Sequence, residues 1–287
     1  MALCYGGVAI SMNDELTLMA VHAHPDDEVL GTGGLFARCA DEGIRTVLVT
    51  CTNGEQGDGP GGVKPGEPGH DEDAVSAQRL EELRESVAHL GIDHLELLGY
   101  RDSGMVGWAA NEAPGAFANV PVDQAAGRLA ALMERYRPQV VVTYDENGGY
   151  GHPDHIQAHR ITLAAVEACG VPSKLYYTAV PRERVAELFA YLRSTGAAPE
   201  DLELPPDFGT PDEQITAVVD VAPYVERKLK ALEAHASQGE NIFLLRMPAE
   251  AQHRALAHEA FTRHLSRVTA ADREDDLFDG LRRDAAG

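Results

Sequence analysis

The order of apolar and amphipathic segments predicts an α/β protein built on a doubly wound, mostly parallel sheet. Two observations carry that prediction. Short apolar, β-branched runs alternate with stretches of helical period from residue 16 to about 180. Polar turns close two of these runs at the point where a strand hands over to a helix, as the crevices of open parallel sheets require.

The elements follow in order. Leu16–Val21 (LTLMAV) has the form of a buried parallel strand. A polar turn follows, then a helix over Gly33–Glu42 that ends at Gly43. Arg45–Thr52 (RTVLVTCT) is a second strand, which completes a right-handed βαβ unit. Residues 53–72 are rich in Gly and Pro and predict a long loop of the kind that tends to be functional or disordered. Asp73–Leu90 is helical, with Ala77, Leu80, Leu83, Val87 and Leu90 on one face. His94–Leu98 is a short strand, 99–121 an irregular segment, Asp123–Tyr136 an amphipathic helix and Gln139–Thr143 a strand. Asn147-Gly148-Gly149 makes a second turn before a helix to about Ala168, and Lys174–Thr178 is a further strand. This is a Rossmann-like core over 15–180. Beyond it, helices near 181–194, 223–236 and 249–267 with one strand near Ile215–Val221 predict a C-terminal extension or cap of the same domain over 181–270. Residues 1–14 read as a loose N-terminal extension, and 271–287 as a charged tail that frays from Asp272.

Composition bounds the function. The chain has 287 residues, 44% of them hydrophobic and 24% charged, which excludes disorder along its whole length. Lys plus Arg is 24 against 46 Asp plus Glu, a formal net charge of −22. That charge disfavours a phosphate backbone or an anionic membrane surface, so neither nucleic acid nor membrane is expected as a partner. The expected partner is a small molecule, with a homo-oligomer left open. Cys4, Cys39, Cys51 and Cys169 are scattered, with no CxxC pair. Together with the lack of a basic, apolar leader in Met1–Asp14 or of any run long enough to span a bilayer, they predict a reduced, cytoplasmic protein.

Two polar clusters stand out: His22-Ala23-His24-Pro25-Asp26-Asp27-Glu28 after the first strand, and His152-Pro153-Asp154-His155 after the strand at 139–143. His and Asp suit zinc or ferrous iron. His24 and Asp27 are three apart, a spacing that a turn folds onto one ion, and His155 can add a third ligand from the neighbouring loop. Two His and one carboxylate leave room for water, the pattern of a catalytic metal. Asp26, beside them, can take that water's proton. The competing reading of the first cluster is a capped helix start, where Asp26, Asp27 and Glu28 serve the helix dipole. A second cluster at an equivalent position weighs against it. His22 reads as structural or as a support behind the ligands. His159, four residues after His155, is either such a support or a surface residue.

These residues carry a resemblance. His24-Pro25-Asp26-Asp27-Glu28 and His152-Pro153-Asp154-His155 resemble the two hallmark motifs of the PIG-L/LmbE family of metal-dependent N-deacetylases, over most of 16–180 and again at Lys228–Gln238. Tyr100–Met105 and Thr143–His152 are most similar to the mycothiol branch, which holds the N-acetylglucosaminyl-inositol deacetylase and the mycothiol S-conjugate amidase. The resemblance implies a zinc site (Fe²⁺ or another divalent ion also fits) at His24, Asp27 and His155, with Asp26 as general base. It implies that His152, in its charged form, stabilises the oxyanion or protonates the leaving amine, and that Asp154 tunes His152. It further implies that a mobile Tyr150 polarises the amide carbonyl, while Arg79 and Asp102 hold sugar hydroxyls. Plain packing for Tyr150 and a solvated Arg79–Glu82 pair are the bland alternatives. The expected reaction is removal of an N-acetyl group from an N-acetylglucosamine-containing molecule by a metal-activated water. Gly31 stands where the amidases have Lys, which favours a small N-acetylglucosaminide over a thiol conjugate; an antibiotic-tailoring sugar deacetylase is the rival. A dinucleotide-binding enzyme is excluded, because Phe36 occupies the position of the last glycine of that fingerprint. A non-catalytic metal-dependent binding module would need no base at Asp26.

Overall fold

The computed structural model describes residues 15–197, 208–239 and 242–282. The N-terminal extension expected at 1–14, with Cys4, lies outside the described residues. The chain runs β1 (Thr17–His22), α1 (Asp27–Asp41), β2 (Arg45–Thr52), α2 (Glu72–Leu90), β3 (His94–Tyr100), α3 (Val122–Tyr136), β4 (Val140–Thr143), α4 (Gly148–Gly151), α5 (Pro153–Cys169), β5 (Lys174–Ala179), α6 (Arg182–Ser194), β6 (Ala217–Asp220), α7 (Val225–Ala234), α8 (Ala249–Leu256) and β7 (His258–Ser266).

The strands form one sheet in the order β3-β2-β1-β4-β5-β7-β6. The first five are mutually parallel, and β7 runs antiparallel to both β5 and β6. Side chains alternate across β1 to feed two cores. Leu18 and Ala20 pack with Phe36, Leu83, Leu90 and Leu232 on the face covered by α1, α2 and α7. Met19 and Val21 pack with Leu129, Met133, Ile161 and Ala165 on the face covered by α3 and α5. Burial on both faces explains why these strands are apolar runs without polar alternation.

Three expectations are corrected. First, α1 starts at Asp27 and not Gly33: the polar turn is shorter than expected, and Gly31 and Gly34 are both packing glycines of the helix. A Cβ on Gly34 would stand 2.5 Å from Val221 Cβ, and one on Gly31 would stand 3.0 Å from Thr178 Cγ2. The helix lies too close to its neighbours for larger residues. Second, the helix expected over 249–267 stops at Leu256, and β7 follows. That segment fills the slot between β5 and β6, where it is paired on both edges. Third, the tail does not fray at Asp272. Leu277 and Phe278 are buried. Glu274 is buried too, accepting from Lys174 Nζ at 2.6 Å and Tyr176 OH at 2.7 Å and pairing with Arg263 at 2.8 Å. Residues 283–287 lie outside the described residues. The C-terminal segment thus adds two strands to the sheet as well as helices.

Candidate metal centre and cavity

β1 lies between β2 and β4, so the chain leaves its carboxyl end at the point where strand order reverses. His24, Asp26 and Asp27 come from the turn after β1, and His152, Asp154 and His155 from the start of α5 after β4. His24 Nδ1 is 3.2 Å from Asp27 Oδ2, His155 Nε2 is 3.4 Å from the same oxygen, and the two nitrogens are 3.3 Å apart. An ion with bonds of about 2.0–2.2 Å in tetrahedral geometry needs donors about 3.3–3.6 Å apart. The three atoms fit three corners of that shape.

The other ring nitrogens are spoken for. His155 Nδ1 is 3.2 Å from the Gly148 carbonyl. His24 Nε2 is 3.2 Å from Asp154 Oδ2 and 3.5 Å from Asp102 Oδ1. His24 with Asp102 and Asp154, and His24 with His152 and His155, are also close enough to be alternative ligand sets. The carboxylates here all accept a backbone N–H at 2.8 Å: Asp154 Oδ2 from Ser103, Asp102 Oδ1 from Gly104 and Asp27 Oδ2 from His24. A carboxylate or carbonyl on the far nitrogen is the usual way a protein orients a metal-binding histidine. Gly148 is required beside this site. It has φ +64°, and a Cβ there would meet His155 Cβ at 2.7 Å.

Asp26 is the N-cap of α1 but makes no side-chain bond to the helix, while Asp27 and Glu28 stand in its first turn as the helix-start reading has them. The φ of Asp26 is +114°, a conformation that non-glycine residues avoid. Arg79 Nη2 grips it, donating to the Pro25 carbonyl at 2.6 Å and to Asp26 Oδ2 at 3.0 Å. Burial pushes the Asp26 carboxyl above its ordinary value, with Arg79 opposing and Asp27 adding to the rise. A cavity of about 410 Å³ opens here, lined by His24, Asp26, Asp27, Arg79, Asp102 and His152, with Tyr150 and Trp108 among the other walls. That volume suits a small molecule.

The chain matches the family described as PIG-L: GlcNAc-PI de-N-acetylase over residues 19–166, from β1 through most of α5. The chain belongs to the PIG-L family. It is 45% identical over 232 residues to a 1D-myo-inositol 2-acetamido-2-deoxy-alpha-D-glucopyranoside deacetylase of Acidothermus cellulolyticus, covering 77% of this chain and 79% of that one. A protein of the same name from Geodermatophilus obscurus is 38% identical over 297 residues, covering 94% and 99%. Among solved structures, the 4-carboxy-2-hydroxymuconate hydratase GalB of Pseudomonas putida aligns with a TM-score of 0.57 at 20% identity, covering 89% of this chain and 99% of that one. At that identity the likeness shows the fold alone, and its different reaction shows that the frame does not choose the chemistry.

Within this PIG-L chain, several expected roles change. Asp154 does not tune His152 through its side chain; its carboxylate goes to His24 and Ser103. Only its backbone N–H reaches His152, at 3.2 Å from Nδ1. Burial, with His24 and His155 beside it, pushes His152 down to about 3. With Nδ1 accepting the Asp154 N–H, the neutral ring would carry its proton on Nε2. Arg79 is buried, so the solvated Arg79–Glu82 pair is overturned; Glu82 accepts from Ser237 instead. Tyr150 is 64% exposed at the cavity mouth, edge-on to His155 at 5.0 Å, which rules out plain packing. His22 is buried, bonding Thr32 Oγ1 at 2.8 Å and lying 3.3 Å from Tyr144 OH, and burial lowers it to about 4. His159 is buried as well and meets the Tyr144 carbonyl at 3.0 Å, so it is no surface residue.

Tyr144 is the residue that sequence reasoning missed. Its hydroxyl donates to Asp27 Oδ2 at 2.8 Å, accepts from Ala23 N at 2.9 Å, and its ring stacks on His155 at 4.1 Å. Its signals in the sequence are its place right after β4 and inside the segment Thr143–His152, and neither says where its hydroxyl points. No helix among the described residues is long and apolar enough to cross a membrane.

Proposed function

We propose that this protein hydrolyses the N-acetyl amide of an N-acetylglucosamine-containing small molecule of the N-acetylglucosaminyl-inositol type. The observation that carries the reading is the triangle of donor atoms on His24, Asp27 and His155, 3.2–3.4 Å on a side, at the edge of a small cavity that His24, Asp27 and the Asp26 carboxylate line. Family membership supports the deacetylase class, and the names of the two relatives support the substrate.

A divalent ion held by His24, Asp27 and His155 would supply Lewis-acid polarisation and a water of lowered pKa. Nitrogen and oxygen donors without thiolate suit zinc, and also ferrous iron or another divalent ion. Asp26 accepts the proton of the attacking water and returns it to the departing amine; a carboxyl raised by burial is better matched to that exchange near neutrality. His152 donates Nε2–H to the developing oxyanion, and Tyr150 at the mouth adds a second donor. Arg79 aims Asp26, and Asp102, on the cavity wall, accepts from a sugar hydroxyl. Asp154 orients His24. Gly31 is not part of the cavity wall and packs on Thr178, so its bearing on substrate is not one of direct contact.

The test is free-amine release from a panel of acetylated amino sugars that includes N-acetylglucosaminyl-inositol and a mycothiol-type S-conjugate. The expected result is the highest kcat/KM for N-acetylglucosaminyl-inositol. Metal-loaded protein that binds the sugars and cleaves none would establish a binding module instead. A clear preference for the conjugate would overturn the substrate.

A further inference from the structure

We infer that Glu28 is a positioning residue that holds Asp26 in its strained conformation. The inference rests on the reading of Asp26 as the proton acceptor. Among the described residues, Asp26 and Arg137 are the only non-glycine positions with positive φ. Arg137 has φ +52° and ends α3, where a left-handed residue is ordinary. Asp26 has φ +114° and lies in the cavity wall. Such a conformation persists only where its surroundings enforce it.

Glu28 provides the enforcement from behind. Its Oε2 accepts the Asp26 backbone N–H at 3.0 Å, two residues back across the helix start. Its Oε1 accepts from Ser86 Oγ of α2 at 2.5 Å and meets His235 Nε2, just after α7, at 2.7 Å. Glu28, Ser86 and His235 are all fully buried. Among the described residues His235 Nδ1 has no hydrogen-bond partner, and its Nε2 is given to Glu28. A buried carboxylate is costly unless its partners are fixed, and here three elements converge to fix one. Glu28 does not line the cavity, so it does not meet substrate. Arg79 completes the grip from the other side, on the Pro25 carbonyl and the Asp26 carboxylate. The Asp26 carboxylate is thus aimed by two clamps, one on its backbone nitrogen and one on its side chain.

Two variants of Glu28 separate positioning from simple packing. Glu28→Met keeps the length but has no acceptor for the Asp26 N–H; Glu28→Gln keeps one acceptor oxygen. With N-acetylglucosaminyl-inositol as probe, kcat of the Met variant should fall at least about 10-fold, with KM and bound metal within about twofold of wild type. The Gln variant should recover kcat to within about threefold of wild type. A crystal structure of the metal-free Met variant should show Asp26 relaxed to negative φ. Should the Met variant not fold, Ser86→Ala, which removes one of the two groups fixing Glu28, carries the same test and should lower kcat at least about threefold at unchanged KM. Full kcat in the Met variant, or in Ser86→Ala where that variant stands in, overturns the inference, as does a Met-variant structure in which Asp26 keeps positive φ. Asp26→Asn run alongside separates the two failures: if it retains full activity, the reading of Asp26 itself falls.

Discussion

At the scale of single residues, the site divides into groups that would touch the ion or substrate and groups that aim them. Asp26→Asn keeps the size and one oxygen for Arg79 but cannot take a proton. Turnover should drop by at least about 10²-fold while metal content, measured by elemental analysis, stays near wild type. Metal lost together with rate would make Asp26 a ligand. His155→Ala removes one corner of the donor triangle, and the purified variant should be depleted of metal. Asp154→Asn is subtler. Its carboxylate accepts from Ser103 and faces His24 Nε2 at 3.2 Å, so the variant should bind metal about 10–100-fold more weakly in a competition titration. Unchanged affinity would mean that His24 needs no help from Asp154.

At the scale of elements, α1 carries the site at its first turn and is held from the side by an ion pair set into its own ladder. Glu259 of β7 accepts the Gly34 and Leu35 N–H groups at 2.7 and 2.8 Å, and Lys228 of α7 donates to Glu259 at 2.6 Å and to the Leu30 carbonyl at 3.1 Å. Both side chains are about 1% exposed. Lys228→Met would leave the Glu259 charge buried with only backbone donors. Removing one partner of a buried pair costs about 3–5 kcal/mol, and urea unfolding should read a loss of that size. A change below about 1 kcal/mol would show that solvent or another cation compensates. The same pair explains how β7, missed in the sequence, bears on the site through α1.

At the scale of the molecule, cavity chemistry and global stability should separate. The two cores on either side of the sheet contain none of the three proposed ligands. Chelation should therefore abolish deacetylation while the chain stays folded by circular dichroism, and added divalent ion should restore activity. Loss of the fold on chelation would make the ion structural. Burial raises the thiols of Cys39 and Cys51, one in each core, far above their ordinary value. Neither should react with a thiol reagent at neutral pH until the protein is denatured, and labelling of either in the folded state would show that its core opens.

The sequence by itself determined the α/β class, the strands from β1 to β5 with little error in their ends, and the two His/Asp clusters that the fold brings together. The physical reason is local: apolar runs buried on both faces, helical period, and two His/Asp clusters at strand-to-helix turns are each written in a few consecutive residues. The tertiary structure decided what depends on distant neighbours. Gly31 falls in the expected turn until Thr178 presses against it inside α1. Residues 258–266 become a strand because β5 and β6 offer unpaired edges on both sides. Arg79 lies 53 residues from Asp26 and Glu259 lies 225 from Gly34, so no local pattern announces either contact. The direction of the Asp154 carboxylate, towards His24 and away from the His152 ring, depends on where the segment after β3 places Ser103. That the two clusters gather is thus a property of the motifs; which distant residues join them and which way each side chain points are properties of the packed chain.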